Sequence, residues 1–273
     1  MQTVVSTARS WIYLLAIVGV AVVVAARLIW LVRPEWSDDE GVITLSFYCA
    51  AEARRPIEEI IDSFQRRSGI RVQMHYGPSP RLLDQITSDG AGDLLLSVDD
   101  LHMHEARRQG LVDQERPVAC LIPVVLASAN SRRHIHALSD LTAQGIRLGL
   151  ASPETILGGI TSAILQKNDI EVEHIRDNSI VFSQTGGELA QAVELGHIDA
   201  TVVWRPLARQ YAHQSRVIEI SPDRNVVSSL VAVVLTTSQH ADAARHLVGF
   251  LEGNLAQDTF RRYEYACGDA LRE

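Results

Sequence analysis

The chain has 273 residues, of which 47% are hydrophobic, with 25 Lys and Arg against 33 Asp and Glu, 17 Gly, 9 Pro and 3 Cys. This composition excludes a disordered polymer, a collagen-like fibre and a disulfide scaffold. The net charge of −8 leaves no basic stripe of the kind that neutralises phosphates, so no nucleic-acid partner is expected. The length suffices for one large domain or for two lobes that each bury a core.

The first predicted element is a transmembrane helix over residues 11–32, in which Arg27 is the only charged residue. As a helix, this stretch would measure about 33 Å, enough to cross the core of a bilayer. Trp11 lies at one end, and Trp30 and Trp36 lie near the other, as expected of tryptophans at membrane interfaces. The sequence therefore predicts an N-terminal membrane anchor.

A secretory signal peptide is the alternative interpretation of the N-terminal segment, residues 1–40. Arg9 would form its basic start, residues 12–24 its apolar run, and Ala25 and Ala26 its cleavage site. The anchor is favoured because apolar sequence resumes beyond this site. Under either interpretation the rest of the chain is exported to the periplasm or another extracytoplasmic space. Under the first, the protein is a single-pass protein of the cell membrane.

After the N-terminal segment, short apolar runs alternate with amphipathic stretches, a pattern typical of βαβ units and of a mostly parallel sheet. One example is the stretch 56–69, in which Ile57, Ile60, Ile61 and Phe64 would share one face of a helix. The fold class is therefore predicted to be α/β. The first six elements are predicted as a strand at 42–50, a helix at 56–69, a strand at 70–77, a helix at 80–90, a strand at 93–99 and a helix at 101–110.

Two longer apolar runs, 120–128 and 226–238, bracket a middle segment that begins its own βα pattern. A middle segment inserted between two crossings is the arrangement expected of a two-lobed protein with a hinge. We therefore predict that residues 41–118 and 227–273 form lobe one and that residues 119–226 form lobe two.

The exported part opens with FYCAAEARRPIEEIIDSFQRRSGIRVQMHYGPSPRLLDQITSDGAGDLLLSVDD and continues with LGLASPETILGG, GGELAQAVELGHIDATVVW and LVGFLEGNLAQDTFRRYEYA. In order and spacing, these motifs resemble the molybdate/tungstate-type periplasmic substrate-binding proteins of ABC importers, a branch of the type II periplasmic binding protein fold. The resemblance covers nearly all of 42–266. It implies a two-lobed α/β protein that binds a small tetrahedral oxyanion between its lobes and presents it to ABC permease subunits. It implies neither catalysis nor a cofactor.

In this family the oxyanion is held by neutral hydrogen bonds from hydroxyls and from backbone N–H groups at helix starts. Helix starts suit this task because they carry unpaired donors and a partial positive charge. The turns after the first two strands and two segments of lobe two would supply these groups. The resemblance implies that the ligand-binding residues are Ala51, Glu52, Pro78, Ser79, Gly158, Gly186 and Trp204.

Two of these residues depart from the family pattern. Glu52 stands where the family has a serine, and its carboxylate would repel a bound dianion. Trp204 stands where the family has a tyrosine, so an N–H donor replaces a phenolic hydroxyl. Molybdate or tungstate is the default ligand, and a cation, a metal complex or a polar organic solute is the alternative.

Each predicted site residue also has a purely structural interpretation. Glu52 would favour the dipole of its own helix, and Ser79 would cap the helix that begins at Pro80. Trp204 would pack in the core. The two glycines, Gly158 and Gly186, would mark ordinary helix starts.

The remaining motifs predict neither a metal site nor catalysis. His102 and His104 would point apart on a helix. Cys49, Cys120 and Cys267 leave three disulfide pairings open, and no recognised catalytic pattern surrounds them. We therefore expect a binding protein that is not an enzyme. A sensor or interaction domain built on the same fold, with no transport role, is the alternative.

Overall fold

The structure, a computed structural model, describes residues 42–98, 100–131, 134–171, 175 and 179–267. The predicted membrane helix at 11–32 lies outside these residues, so it stays a prediction. No helix within the described ranges is both long enough and apolar enough to cross a membrane. The described part of the chain is built on two five-stranded sheets.

The first sheet contains β1 (Thr44–Ala50), β2 (Arg71–Gly77), β3 (Leu94–Ser97), β4 (Val112–Leu121) and β10 (Ser228–Leu235). Its strand order is β2-β1-β3-β10-β4. The strands β2, β1 and β3 are parallel, and β10 runs antiparallel to both of its neighbours. We refer to this sheet and the helices packed on it as lobe one.

The second sheet contains β5 (Pro123–Ser128), β6 (Leu148–Ala151), β7 (Ser179–Ser183), β8 (Ala200–Trp204) and β9 (Ser215–Glu219). Its order is β7-β6-β8-β5-β9, in which β7, β6 and β8 are parallel and β5 is antiparallel to β8 and β9. In both sheets, therefore, three parallel strands are followed by a fourth strand that is antiparallel to the third and by a fifth strand that is antiparallel to the fourth. We refer to the second sheet and its helices as lobe two.

Helices connect the parallel strands, because a parallel pair needs a crossover. The first of them shows how the sequence specifies such a helix: Ile57, Ile60 and Phe64 are buried along one face, and Gly69 ends it with a φ of 73°. Lobe one has α1 (Arg54–Ser68), α2 (Ser79–Asp89), α3 (Asp100–Arg108), α7 (Ala241–Glu252) and α8 (Asn254–Arg262); lobe two has α4 (Ile156–Lys167), α5 (Gly186–Glu194) and α6 (Arg205–Gln210). Short 3₁₀ turns occupy Ala51–Ala53, Leu138–Thr142 and Pro222–Arg224.

The six elements predicted before residue 111 are confirmed, and their limits shift by at most two residues. The apolar run at 120–128 is not a single strand. It is divided at Ile122 between β4 of one sheet and β5 of the other. The polar first half of β4 was not predicted, since its exposed residues hide the alternation that marks a strand.

The chain passes between the sheets twice, at Ile122 and between β9 and β10. Asn225, in the second crossing, forms a hydrogen bond to Pro123, next to the first crossing. Its Nδ2 donates to the Pro123 carbonyl at 2.9 Å, and its Oδ1 accepts from the Val226 N–H at 2.9 Å. The carbonyl of Asn225 in turn accepts from Lys167 Nζ at 2.8 Å. The crossings are therefore held by specific hydrogen bonds.

Asn225→Ala is expected to lower the free energy of unfolding by about 2 kcal/mol, because the buried Pro123 carbonyl loses its donor. Urea denaturation followed by circular dichroism measures the change. Asn168→Ala is the control. Asn168 is partly exposed, and its Nδ2 donates to the Ile164 and Arg224 carbonyls, the second of them at an exposed position where water can replace the bond. Equal losses in the two variants would contradict a special role for the buried bond.

Candidate binding cleft

A cavity of about 950 Å³ lies between the two lobes, a size typical of small-molecule sites. Lobe one contributes the turns after β1 and β2, and lobe two contributes the starts of α4 and α5 and the end of β8. A smaller cavity of about 730 Å³ lies on lobe one and contains no predicted site residue. The cleft between the lobes brings together five of the predicted residues: Ala51, Glu52, Pro78, Gly186 and Trp204.

Helices from both lobes begin at the cleft, among them α2, α4 and α5. α2 begins directly after Pro78. α4 follows Thr155, whose Oγ1 accepts from the Gly158 N–H at 3.0 Å. α5 follows Thr185, whose Oγ1 accepts from the Glu188 N–H at 3.3 Å. The other N–H groups of each first turn have no helical acceptor and carry the positive end of the helix dipole. Helix starts from both lobes therefore favour an anion in the cleft.

The lining of the cleft carries four arginines and three glutamates, and some of these arginines pair with glutamates outside the lining. Two arginines are held by glutamates outside the lining: Arg54 pairs with Glu58 at 3.0 Å, and Arg262 pairs with Glu59 at 2.6 Å. The hydrogen bond from Arg262 lowers the pKa of Glu59. Arg55 is exposed and makes no ion pair with any described residue, so it can meet a ligand. The charged residues of the lining, besides His102, are Arg54, Arg55, Arg209 and Arg262, and Glu52, Glu154 and Glu264.

Glu52 lies in the cleft with an exposed side chain. Its backbone carbonyl accepts a hydrogen bond from the Tyr265 hydroxyl at 2.5 Å. Burial raises the pKa of Tyr265, so its hydroxyl stays protonated and remains a donor. This bond fixes the turn after β1. The stretch 263–265 that supplies it also lines the cleft, although no pattern in the sequence predicted this.

Trp204 is only 7% exposed and lines the cleft at the end of β8. Its backbone is fixed, because it pairs with Pro123 across the ladder and the next N–H, that of Arg205, donates to the Ile122 carbonyl at 2.8 Å. No acceptor among the described residues bonds its indole N–H. A buried indole normally has a partner, so this donor can serve a ligand.

Ser79 is placed behind the lining. It is 1% exposed, and its Oγ accepts a hydrogen bond from the Ser97 hydroxyl at 3.4 Å. The interpretation of Ser79 as a cap is wrong, because α2 begins at Ser79 itself and its N-cap, Pro78, has no side chain that can accept a hydrogen bond. As the first residue of α2, Ser79 has a backbone N–H without an acceptor inside the helix.

The two predicted glycines have different surroundings. A Cβ atom at Gly158 would lie 2.1 Å from the Ser152 carbonyl oxygen, so this glycine allows a close approach within lobe two. Gly158 does not line the cleft. A Cβ atom at Gly186 would lie 3.1 Å from Leu207 Cδ2, a much looser contact. Packing therefore explains Gly158 without a ligand.

Thiol and metal chemistry find little support in the described ranges. No three His, Cys, Asp or Glu side chains there gather to hold a metal ion. Cys49, Cys120 and Cys267 form no disulfide with one another. Burial raises the pKa of Cys49 well above its usual range and that of Cys267 to about 11. Such thiols are poor nucleophiles at neutral pH.

The two-lobed fold with a cleft between its sheets defines a solute-binding protein of the periplasmic binding class. Residues 45–266 match the model of a family described as bacterial extracellular solute-binding protein. The match spans most of the chain, so the protein belongs to this family. An extracytoplasmic solute-binding domain is consistent with that membership.

Two curated relatives cover most of the chain. A Bacillus subtilis protein named as an ABC transporter substrate-binding lipoprotein, YvgL, is 24% identical over 240 residues, which are 84% of this chain and 88% of the relative. The molybdate-binding protein ModA of Mycobacterium tuberculosis is 23% identical over 214 residues, which are 78% of this chain and 80% of the relative.

Solved structures share the fold. The substrate-binding domain of a molybdenum ABC transporter from Clostridium difficile has a TM-score of 0.72 and 19% identity, covering 83% of this chain and 99% of its own. Iron-bound HitA from Pseudomonas aeruginosa has a TM-score of 0.68 and 18% identity, covering 80% and 83%. The sulfate-binding protein SubI of Mycobacterium tuberculosis has a TM-score of 0.68 and 17% identity, covering 84% and 88%.

These comparisons confirm the resemblance to molybdate-type periplasmic binding proteins and the two-lobed α/β fold. Members of the family are transport binding proteins, and the expectation that this chain is not an enzyme follows from the family. The fold does not select one ligand, since its neighbours are named for molybdenum, iron and sulfate.

Proposed function

We propose that this protein binds a small oxyanion, by default molybdate or tungstate, between its lobes and presents it to the permease of an ABC importer. The observation that carries the proposal is the meeting of helix starts from both lobes at one cleft, whose lining also includes Arg55. The name of the ModA relative supports molybdate. The name of the YvgL relative supports the ABC transporter.

The proposed ligand contacts come from the turns at the cleft. Ala51 would offer its backbone N–H from lobe one, and Pro78, which has no N–H, would shape the turn that leads into α2. Gly186 and Trp204 would offer an N–H from lobe two. Ser79 would contribute its backbone N–H rather than its hydroxyl. Gly158 would act indirectly, by letting α4 pack close to the end of β6. None of these contacts involves a covalent step.

Glu52 is the main obstacle to an oxyanion. Two unit charges 4 Å apart repel by about 4 kcal/mol near a protein surface. Arg55 lines the same cleft and can offset this repulsion, because it has no ion-pair partner among the described residues. A cation or a polar organic solute becomes the better ligand class if oxyanions fail to bind.

The proposal also includes the location and the lobes. We propose that a helix at 11–32 anchors the chain and that the globular part lies outside the cytoplasm; the apolar sequence of this stretch supports the anchor. The division into lobe one (41–118 and 227–273) and lobe two (119–226) stays our proposal, except that residues 119–121 belong to lobe one because β4 runs to Leu121. The sheet order supports this division, since β4 and β10 share one sheet and β5 to β9 form the other.

Calorimetric titration of the full-length protein with molybdate, tungstate, sulfate and phosphate tests the proposal. Saturable binding of molybdate or tungstate is expected. Trp204→Phe keeps an aromatic ring but removes the N–H, so affinity should fall about ten-fold, as for one lost hydrogen bond to a charged ligand.

Ser79→Ala is the matched control and should change the affinity by less than about two-fold, because the hydroxyl is buried against Ser97 and the N–H is kept. Folding of each variant is checked by circular dichroism. Absence of binding by any of the four oxyanions to the folded protein would reject the oxyanion and move the proposal to a different solute.

A further inference from the structure

Glu264 has a backbone conformation that is unusual for its residue type. It follows Tyr263, the C-cap of α8, with a φ of 66°. Its N–H donates to the Arg261 carbonyl, and the N–H of Tyr265 donates to the Phe260 carbonyl, both at 3.0 Å. Glycine is the usual residue in this helix-ending turn, since the left-handed region strains side chains. A glutamate here therefore suggests a functional reason.

Lobe one fixes the segment that carries Glu264. Ala266 pairs with Cys120 of β4 through two backbone hydrogen bonds of 2.8 and 3.0 Å. Tyr265 is 4% exposed and donates its hydroxyl to the Glu52 carbonyl. The backbone of Glu264 is thus held between α8 and β4. Its side chain lies in the cleft.

From this position Glu264 reaches lobe two. Its Oε2 lies 3.7 Å from Nε of Arg209 on α6, and both residues line the cleft. The same guanidinium lies 3.5 Å from Glu219 of β9, within lobe two. Arg209 therefore has one carboxylate partner in each lobe, and only the contact with Glu264 crosses the cleft.

We propose that Glu264 and Arg209 form a latch that holds the two lobes together across the cleft before a ligand binds. The inference rests on the proposed function in taking this cleft as the ligand site. Both side chains are nearly half exposed, 46% and 42%, so the pair is weak enough to be released. Loss of either charge is expected to raise the population of separated lobes about three-fold in the ligand-free protein.

Distances between two spin labels test the latch without any ligand. Labels on non-natural side chains at the exposed positions Ser88 in lobe one and Gln191 in lobe two report the separation of the lobes in the full-length protein. Glu264→Gln should add longer distances to the wild-type distribution. Glu219→Gln is the matched control, because it removes the other carboxylate near Arg209 without crossing the cleft, and it should leave the distribution unchanged.

Two further variants distinguish loss of the latch from loss of stability and from effects confined to one residue. Arg209→Gln/Glu264→Gln should separate the lobes no further than Glu264→Gln alone, as expected of two groups that act through one contact. Glu264→Gly relieves the backbone strain, so it should fold at least as stably as the wild type while still showing the longer distances.

Unchanged distances in Glu264→Gln, or a double variant whose effect is the sum of two single effects, would overturn the latch. These measurements use no ligand, so their failure leaves the proposed function standing. If no oxyanion binds, the proposed ligand is rejected. The distances between the labels would still test the latch, because they are measured without a ligand.

Discussion

Gly158→Ala is expected to lower the free energy of unfolding by about 3 kcal/mol or more. The added Cβ would lie 2.1 Å from the Ser152 carbonyl oxygen and 3.0 Å from the Ala151 carbonyl oxygen. These are backbone atoms at the end of β6, so they cannot turn aside as a flexible side chain can. α4 must move away from the sheet, and overpacking of this kind is among the costly changes to a core.

Gly159→Ala is the matched control for this prediction. A Cβ at Gly159 meets no atom within 4 Å, and the residue lies in the same helix. Alanine is the better helix former, so this variant should be neutral or more stable by about 0.5 to 1 kcal/mol. Urea denaturation measures both variants. Similar stabilities for the two would show that α4 does not need a glycine facing Ser152.

Asp199→Ala is expected to cost about 3 kcal/mol, the second large loss. Asp199 is 6% exposed just before β8. Its Oδ2 accepts from the Arg147 N–H at 2.8 Å and from Arg147 Nε at 3.2 Å, and its Oδ1 accepts from Nη2 at 2.9 Å. Alanine leaves the backbone donor and the guanidinium without this acceptor. Unfolding by urea at neutral pH measures the loss.

The same carboxylate makes stability depend on pH. Burial raises the pKa of Asp199, but hydrogen bonds from the Arg147 side chain and backbone outweigh burial and lower the pKa overall. A lowered pKa means that the stabilisation is fully present above the unfolded value, near 3.9, and is lost as the pH falls through the folded value. The difference in stability between wild type and Asp199→Asn should therefore be full at pH 6 and shrink below about pH 4.

Asp84→Asn, at an exposed position of α2, is the control for this pH series and should follow the wild type at every pH. The prediction is wrong if Asp199→Asn loses stability towards acid as steeply as the wild type does. In that case another group would carry the acid sensitivity.

Periodicity predicted the first half of lobe one well, because its strands and helices are fully amphipathic or fully apolar. α1 buries Ile57, Ile60 and Phe64 at helical spacing, and no competing pattern covers that stretch. β4 was predicted only in its buried end, because Asp113 to Arg116 form a polar, partly exposed first half. The alternation of apolar and polar residues reflects burial. A partly exposed edge strand shows little of this alternation, so it is hard to predict from the sequence.

The lining of the cleft was predicted only in part, because contacts between distant parts of the chain bring some of its residues there. The turns at Ala51, Pro78 and Gly186 were predicted through the family resemblance. Loops at the ends of parallel strands meet at one edge of a sheet, which agrees with the place of these turns in the cleft. The contribution of 263–265 depends on pairing between residues far apart in the chain, Cys120 and Ala266. The signal that the sequence does offer is Glu264 at a helix end where glycine is usual.

The strand β10 belongs to lobe one but follows all of lobe two in the chain, and this position has a consequence for the order of folding. All strands of lobe two lie in one continuous stretch, whereas β4 of lobe one pairs in its sheet only with β10, which follows all of lobe two in the chain. A chain that emerges from its N-terminus can therefore complete lobe two while β3 and β4 still present open edges. Any pause before β10 emerges leaves those edges free to pair with neighbouring chains, so the last quarter of the sequence also protects β3 and β4 from aggregation.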